Sequence, residues 1–267
     1  MIRYVVTFCI AVVWGTSALA AEIRLAVTTS FENSGLSEVL LPAIKEDLDL
    51  DVQLLVVGTG QALRLGQAGD VDAILVHSRA AEEAFVSEGY GTHRREIMYN
   101  DFVFIGPSAD AAQIASATAA SDALKRIAAS ESSFVSRGDD SGTHKKELAL
   151  WKNAGGVPSE EWYREVGAGM GAALNTAAGL NAYIIADRAS WLNFGNKGDL
   201  ALLYAGDPDL FNQYAFLPVN PERHSHVKHQ LALALEDWLA GPRAQALIDG
   251  YTINDQTLFV FNAKPSE

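Results

Sequence analysis

The chain has 267 residues, enough for one large domain or two lobes of ordinary size. Its formal charge of −13 leaves no basic footprint of the kind nucleic-acid binders carry, and argues equally against docking on anionic lipid. Cys9 is the only cysteine, so neither a disulfide framework nor a thiol site organises the chain.

Residues 1–20 read as a secretory leader. Arg3 gives the positive start, Tyr4 to Trp14 form a short apolar core, and Ala18-Leu19-Ala20 is a small-residue cleavage pattern. The core is too short to span a bilayer as a helix. Cleavage after Ala20 is expected to leave a soluble periplasmic protein, without membrane insertion and with a charge of −14 once Arg3 is gone. Such an acidic protein still suits a small anion, because salt screens the global field over about 8–10 Å while local donors act at contact distance.

From Ile23 the apolar spacing alternates between strand and helix. Ile23–Val27 is a strand ending in Thr28-Thr29-Ser30, and Leu36, Val39, Leu40, Ala43 and Ile44 then fall at helical spacing. Asp51–Val57 is the next strand, with Gly58-Thr59-Gly60 leading into a helix over Gln61–Gln67. Val71–Val76 is a third strand with His77-Ser78 at its tip, followed by a helix over Ala80–Glu88. Three such repeats predict an α/β class with a mainly parallel sheet, in which ligands sit outside the carboxyl ends of the strands. The hydroxyls of Thr28, Thr29, Ser30, Thr59 and Ser78 all fall at those ends.

Glu96–Pro107 is an extended apolar run that passes from one lobe to another, and Ser121–Ser130 is a helix. Ser136-Arg-Gly-Asp-Asp-Ser-Gly-Thr-His144 then reads as a strand end, a tight turn and a helix start. Gly138 and Gly142 free the backbone, Ser141 or Thr143 caps the helix, and Glu147 falls in its first turn. An arginine beside hydroxyls and unpaired N–H groups at a helix start is chemistry for an anion. Gly167–Asn175 is a glycine-rich turn entering a helix, Tyr183–Ala186 is a strand, and Phe211–Val219 is the return crossing. Crossings near 102–105 and 212–217 give lobe 1 as residues 21–103 plus 213–267 and lobe 2 as residues 104–212.

Other chemistries have weaker claims. Ser141 lies three residues before His144, which keeps a secreted hydrolase in view, but the G-x-S-x-G elbow is absent. His224, His226 and His229 lack cysteine or acidic partners at ligand spacing and read as an exposed turn, with no metal cation expected. A dianion without a proton, such as tungstate, molybdate or sulfate, wants donors only. Hydrogen phosphate gains from an acceptor, and Asp139 and Asp140 keep it in view.

Ala26–Leu36, Val57–Leu63, Asp72–Ser78, Arg95–Phe102 and Ser136–Glu147 together resemble the tungstate-specific substrate-binding proteins of ABC transporters, over essentially the whole exported chain. The resemblance implies a type II periplasmic-binding-protein fold, with two α/β lobes and a hinge of crossing strands. It implies a monomer that binds a small oxyanion without a cofactor, is not an enzyme, and delivers its ligand to a permease and ATPase complex. By motif position Thr28, Thr29 and Ser30 match the family's hydroxyl signature, Thr59 and Gly60 its second loop, and Arg137, Ser141, Gly142 and Thr143 its second-lobe loop. Val27 departs from it, standing where the family signature begins with Thr.

Overall fold

The computed structural model describes residues 21–139 and 141–264. The expected leader and Asp140 lie outside the described residues. The chain opens with β1 (Ala21–Thr28), α1 (Thr29–Asn33), α2 (Ser37–Leu48), β2 (Leu50–Val57), α3 (Thr59–Ala68), β3 (Ala73–Val76) and α4 (Arg79–Ser87). A long strand, β4 (Arg95–Pro107), leads to α5 (Ala120–Ala129), β5 (Phe134–Ser136), α6 (Gly142–Ala154), β6 (Tyr163–Glu165), α7 (Met170–Leu180), β7 (Tyr183–Asp187), α8 (Arg188–Asn193) and β8 (Leu200–Tyr204). The strand β9 (Phe211–Pro218) returns the chain, and α9 (His229–Leu239) and α10 (Pro242–Asp249) follow.

The strands run in the order β2-β1-β3-β9-β4-β7-β5-β6, with β8 and Val260–Phe261 also pairing with β4. β2, β1 and β3 are parallel, as are β7, β5 and β6. β4 and β9 run antiparallel to their neighbours. β4 serves both halves: Arg95–Asp101 pair with β9, whereas Phe102–Ile105 pair with β7. The result is two α/β lobes joined by crossing strands.

The local reasons are plain. All four residues of β3 are buried, as expected of a strand covered on both faces. In the first lobe Leu40 and Ile44 of α2 and Leu235 of α9 pack on one face of the sheet, and Leu63 of α3 and Phe85 on the other. In the second, Leu174 of α7 and Trp191 of α8 cover one face while Leu124 of α5 and Trp151 of α6 cover the other. Val27 is fully buried in this core, its register neighbours being Val56 and Leu75. A threonine there would have to bury its hydroxyl, so Val suits the position.

Two expectations shift. Thr29 and Ser30 form the first turn of α1 rather than a strand end, because Thr28 Oγ1 accepts the Phe31 N–H at 3.2 Å and starts a helix. Glu147 lies beyond the first turn of α6 and is buried. Trp151 anchors α6 against β5, its ring edge-on to Phe134 with centroids 5.3 Å apart. Trp151→Ala should therefore cost about 3–5 kcal/mol of stability in chemical denaturation.

Candidate functional site

β5 ends at Ser136, and the loop after it is pinned along its length. The carbonyls of Ser136 and Arg137 accept the Val166 and Ala168 N–H groups at 3.1 and 3.2 Å. Gly138 takes φ +60°, and a Cβ there would meet the Glu165 Cβ at 2.9 Å, so the position requires glycine twice over. Ser141 caps α6 by accepting the His144 N–H at 3.2 Å. The Arg137 side chain donates from Nε to the Ala168 carbonyl at 3.1 Å and from a terminal nitrogen to Asp139. The other Asp139 oxygen accepts the Ser141 N–H at 3.2 Å. Partial burial opposes the charged form of Asp139, but hydrogen bonds from Ser141 and Arg137 outweigh it and hold the carboxyl below its usual range. The glycine-rich turn before α7 thus supplies a clamp for Arg137.

Facing this loop is a polar cluster on the first lobe with Ser30 at its centre. Ser30 Oγ lies 2.9 Å from Thr28 Oγ1, 3.0 Å from His77 Nε2 and 3.1 Å from the Tyr214 hydroxyl. The His77 and Tyr214 rings have centroids 4.8 Å apart. Tyr214 is fully buried, and burial raises the pKa of its phenol. Desolvation pushes His77 down to about 4, with the Lys146 charge acting in the same direction, so the imidazole is neutral at neutral pH. One contact joins the two lobes here: a Cβ on Gly142 would come within 2.8 Å of His77 Cε1. The first turn of α6 therefore rests directly on the His77 ring.

The fold thus brings Thr28, Ser30 and Gly142 into one constellation, with Arg137, Ser141 and the buried Thr143 on the loop and helix that carry Gly142. Thr28 serves α1 as its cap. Thr29 is exposed beside Ser30. Thr59 and Gly60 begin α3 at the same sheet edge, since Thr28 pairs with Val57, but no described hydrogen bond ties the Thr59 side chain to the cluster. The cluster also takes in His77, Tyr214, Lys146 and Asp187, none of which the sequence pattern marks as a ligand-binding residue. Asp187 is buried and accepts the Ser190 N–H at 2.8 Å, and its charge acts on both Tyr214 and Arg137. His77 at a strand tip was the one available signal, and the hydroxyl of Ser78 beside it took precedence.

The competing chemistries fare differently. Ser141 Oγ accepts the backbone N–H of His144 and lies against the Asp139 carboxylate, while the His144 ring lies 3.7 Å from Glu165. His224, His226 and His229 each sit on a backbone carbonyl, those of Gln67, Gly69 and Val219. No group of three potential metal ligands occurs among the described residues. A depression of about 370 Å³ lined by Glu131, Ser133, Glu160, Glu161, Trp162 and Arg164 includes none of the constellation and is too acidic for an anion. Among the described residues no helix is long and apolar enough to cross a membrane.

Two α/β lobes, a shared crossing strand and polar groups facing each other between them define a periplasmic binding protein. Residues 15–243 match the PBP superfamily domain. The tungstate-binding protein TupA of Peptoclostridium acidaminophilum is 44% identical over 232 residues, covering 86% of this chain and 81% of that one. The solved structure of the tungstate-binding protein TupA from Desulfovibrio alaskensis G20 aligns with a TM-score of 0.87 at 42% identity, covering 92% of this chain and 100% of that one. That of the tungstate ABC transporter from Geobacter sulfurreducens aligns at 0.78 with 46% identity, covering 86% and 98%. The chain belongs to the TupA family of ABC-transporter substrate-binding proteins within the PBP superfamily.

Behind the Arg137 loop lies Glu147, whose Oε1 accepts the Tyr163 hydroxyl at 2.7 Å. Burial pushes its carboxyl up to about 7, against the Tyr163 hydrogen bond and the nearby dipoles of the Ser136 hydroxyl and the Arg137 backbone. The folded state therefore holds a proton that the unfolded chain releases near its ordinary value, and stability falls as pH rises through that window, from about 4.5 to about 7. Glu147→Gln should flatten this decline when melting temperature is followed across the same range.

Proposed function

We propose that this protein is a soluble periplasmic carrier that captures tungstate, and molybdate with it, between its lobes and delivers the oxyanion to an ABC permease and ATPase. The observation that carries this reading is the approach of Gly142, at the start of α6, to His77, the hydrogen-bond neighbour of Ser30, which supports a site shared by the Arg137 loop and the first lobe's hydroxyls. The names of its relatives support the choice of ion. Lobes of residues 21–103 plus 213–267 and residues 104–212 would close on the ligand, as a monomer and without a cofactor.

The donor set favours a dianion that carries no proton. Both oxygens of Asp139 already accept hydrogen bonds, from Arg137 and from the Ser141 N–H, so this carboxylate braces the loop instead of waiting for the proton of hydrogen phosphate. Ser141 acts as cap and donor: its hydroxyl accepts the His144 N–H and lies against the Asp139 carboxylate.

Calorimetry of the ligand-stripped protein should give tight tungstate binding near one to one, with phosphate and sulfate far weaker. Tight phosphate binding without tungstate binding would sink the reading. Charge-assisted hydrogen bonds contribute about 1.5–3 kcal/mol each, so Arg137→Ala should weaken tungstate binding by about 100-fold or more. An unchanged dissociation constant would remove Arg137 from the site.

A further inference from the structure

Ser30 has one hydroxyl proton and three neighbours within hydrogen-bonding distance, Thr28 Oγ1, His77 Nε2 and the Tyr214 hydroxyl. Thr28 and Tyr214 carry protons of their own and can donate to Ser30 Oγ. His77 differs, because a neutral imidazole donates from one nitrogen and accepts at the other. With a bare Nε2 the ring draws the Ser30 proton onto itself. With a protonated Nε2 the ring donates to Ser30 Oγ and leaves that proton free to point elsewhere.

The surroundings define the resting choice. The side chain of Asn212 and the His77 carbonyl both favour a ring N–H, and Nε2 is turned to Ser30, which leaves Nδ1 for them. Asn212 donates one Nδ2 proton to Asn100 Oδ1 at 2.8 Å, and its amide oxygen can accept from a ring N–H. With the ring N–H turned to that oxygen, the proton sits on Nδ1 and Ser30 donates to Nε2. The charged and titratable groups around the ring are Lys146 on α6, Tyr214 on β9, and Arg137 and Asp187 beyond them. The ring stays neutral among them, so the variable at neutral pH is the tautomer. The first turn of α6 lies over the ring at Gly142, so the second lobe covers the atom between the two nitrogens.

We propose that His77 is a positioning residue of the oxyanion site, and that ligand capture shifts its proton from Nδ1 to Nε2, so that the Ser30 hydroxyl turns from the imidazole to the bound anion. The inference rests on the proposed function, since it presumes an oxyanion acceptor beside Ser30. It assigns the first lobe a donor that is switched on by the ligand itself. A dianion rewards the shift with a hydrogen bond to charge, whereas a ligand with a proton to donate could meet Ser30 as an acceptor without it.

Long-range ¹H–¹⁵N correlation spectra of the intact protein at about pH 7 read the tautomer directly, with the His77 signals assigned by their loss in His77→Gln. The free protein should show a bare Nε2, and the protein saturated with sodium tungstate a protonated one. A bare Nε2 in the loaded protein, or the same tautomer in both states, overturns the inference while leaving tungstate binding intact. Failure of the wild type to bind tungstate overturns the proposed function and this inference with it. A double-mutant cycle tests the route through Ser30: His77→Gln should weaken tungstate binding about three- to thirtyfold in the wild type, and not further in Ser30→Ala. Additive losses would mean that His77 acts independently of Ser30.

Discussion

Arg137 donates to the Ala168 carbonyl and to Asp139, and the rest of the second lobe's contribution to the cleft depends on that guanidinium staying where these two acceptors put it. A flexible arginine would lose much of its binding energy to ordering, and here the ordering precedes the ligand. Asp139 also offsets most of the arginine's charge at short range. An incoming dianion would therefore rely as much on oriented dipoles as on net charge: the hydroxyls of Ser30, Ser141 and Thr143 and the N–H groups at the start of α6. A formal charge of −13 is no obstacle to such a site, because its donors would act at contact distance.

The loop is held from behind by a different kind of interaction. Glu147 is almost wholly buried, bonded to Tyr163 and set against Ser136 and the Arg137 backbone. The Tyr163 ring stacks on Phe134 with centroids 5.7 Å apart and meets Trp151 edge-on. An aromatic core thereby fixes a hydroxyl, the hydroxyl orders a buried acid, and the acid abuts the residue that carries the anion loop. The dry side of the lobe and its polar edge are one continuous packing problem.

Much of this arrangement was legible in the residues themselves. The strands β1, β2, β3 and β4 announce themselves by apolar runs between turn residues, and the Ser136–His144 turn by its glycines, its cap and its arginine. Hydroxyls at strand ends pointed to the edge of the sheet where the Ser30 cluster lies. The Ser30 cluster was hidden because its partners are remote, His77 lying 47 residues away and Tyr214 184. Tyr214 sits in an apolar strand and reads as core until its hydroxyl is seen facing Ser30. Thr28 shows the converse: a threonine at a strand end serves a ligand or a helix cap equally well by pattern, and only the Phe31 N–H reveals its structural duty.

The path of the chain through the two lobes sets the order in which they can be completed. The second half of β4 and the strands β5 to β8 come from one uninterrupted stretch between the Asp101–Phe102 junction and Leu210, so their mutual pairings are all available once that stretch exists. The first lobe has a strand missing from its middle until Phe211–Pro218 arrives, because β9 lies between β3 and β4. Until then β3, buried on all four residues in the finished protein, is an open apolar edge. Long-range pairing of this sort is slow to form. The lobe that begins the chain is thus the last to have all of its strands present along the sequence.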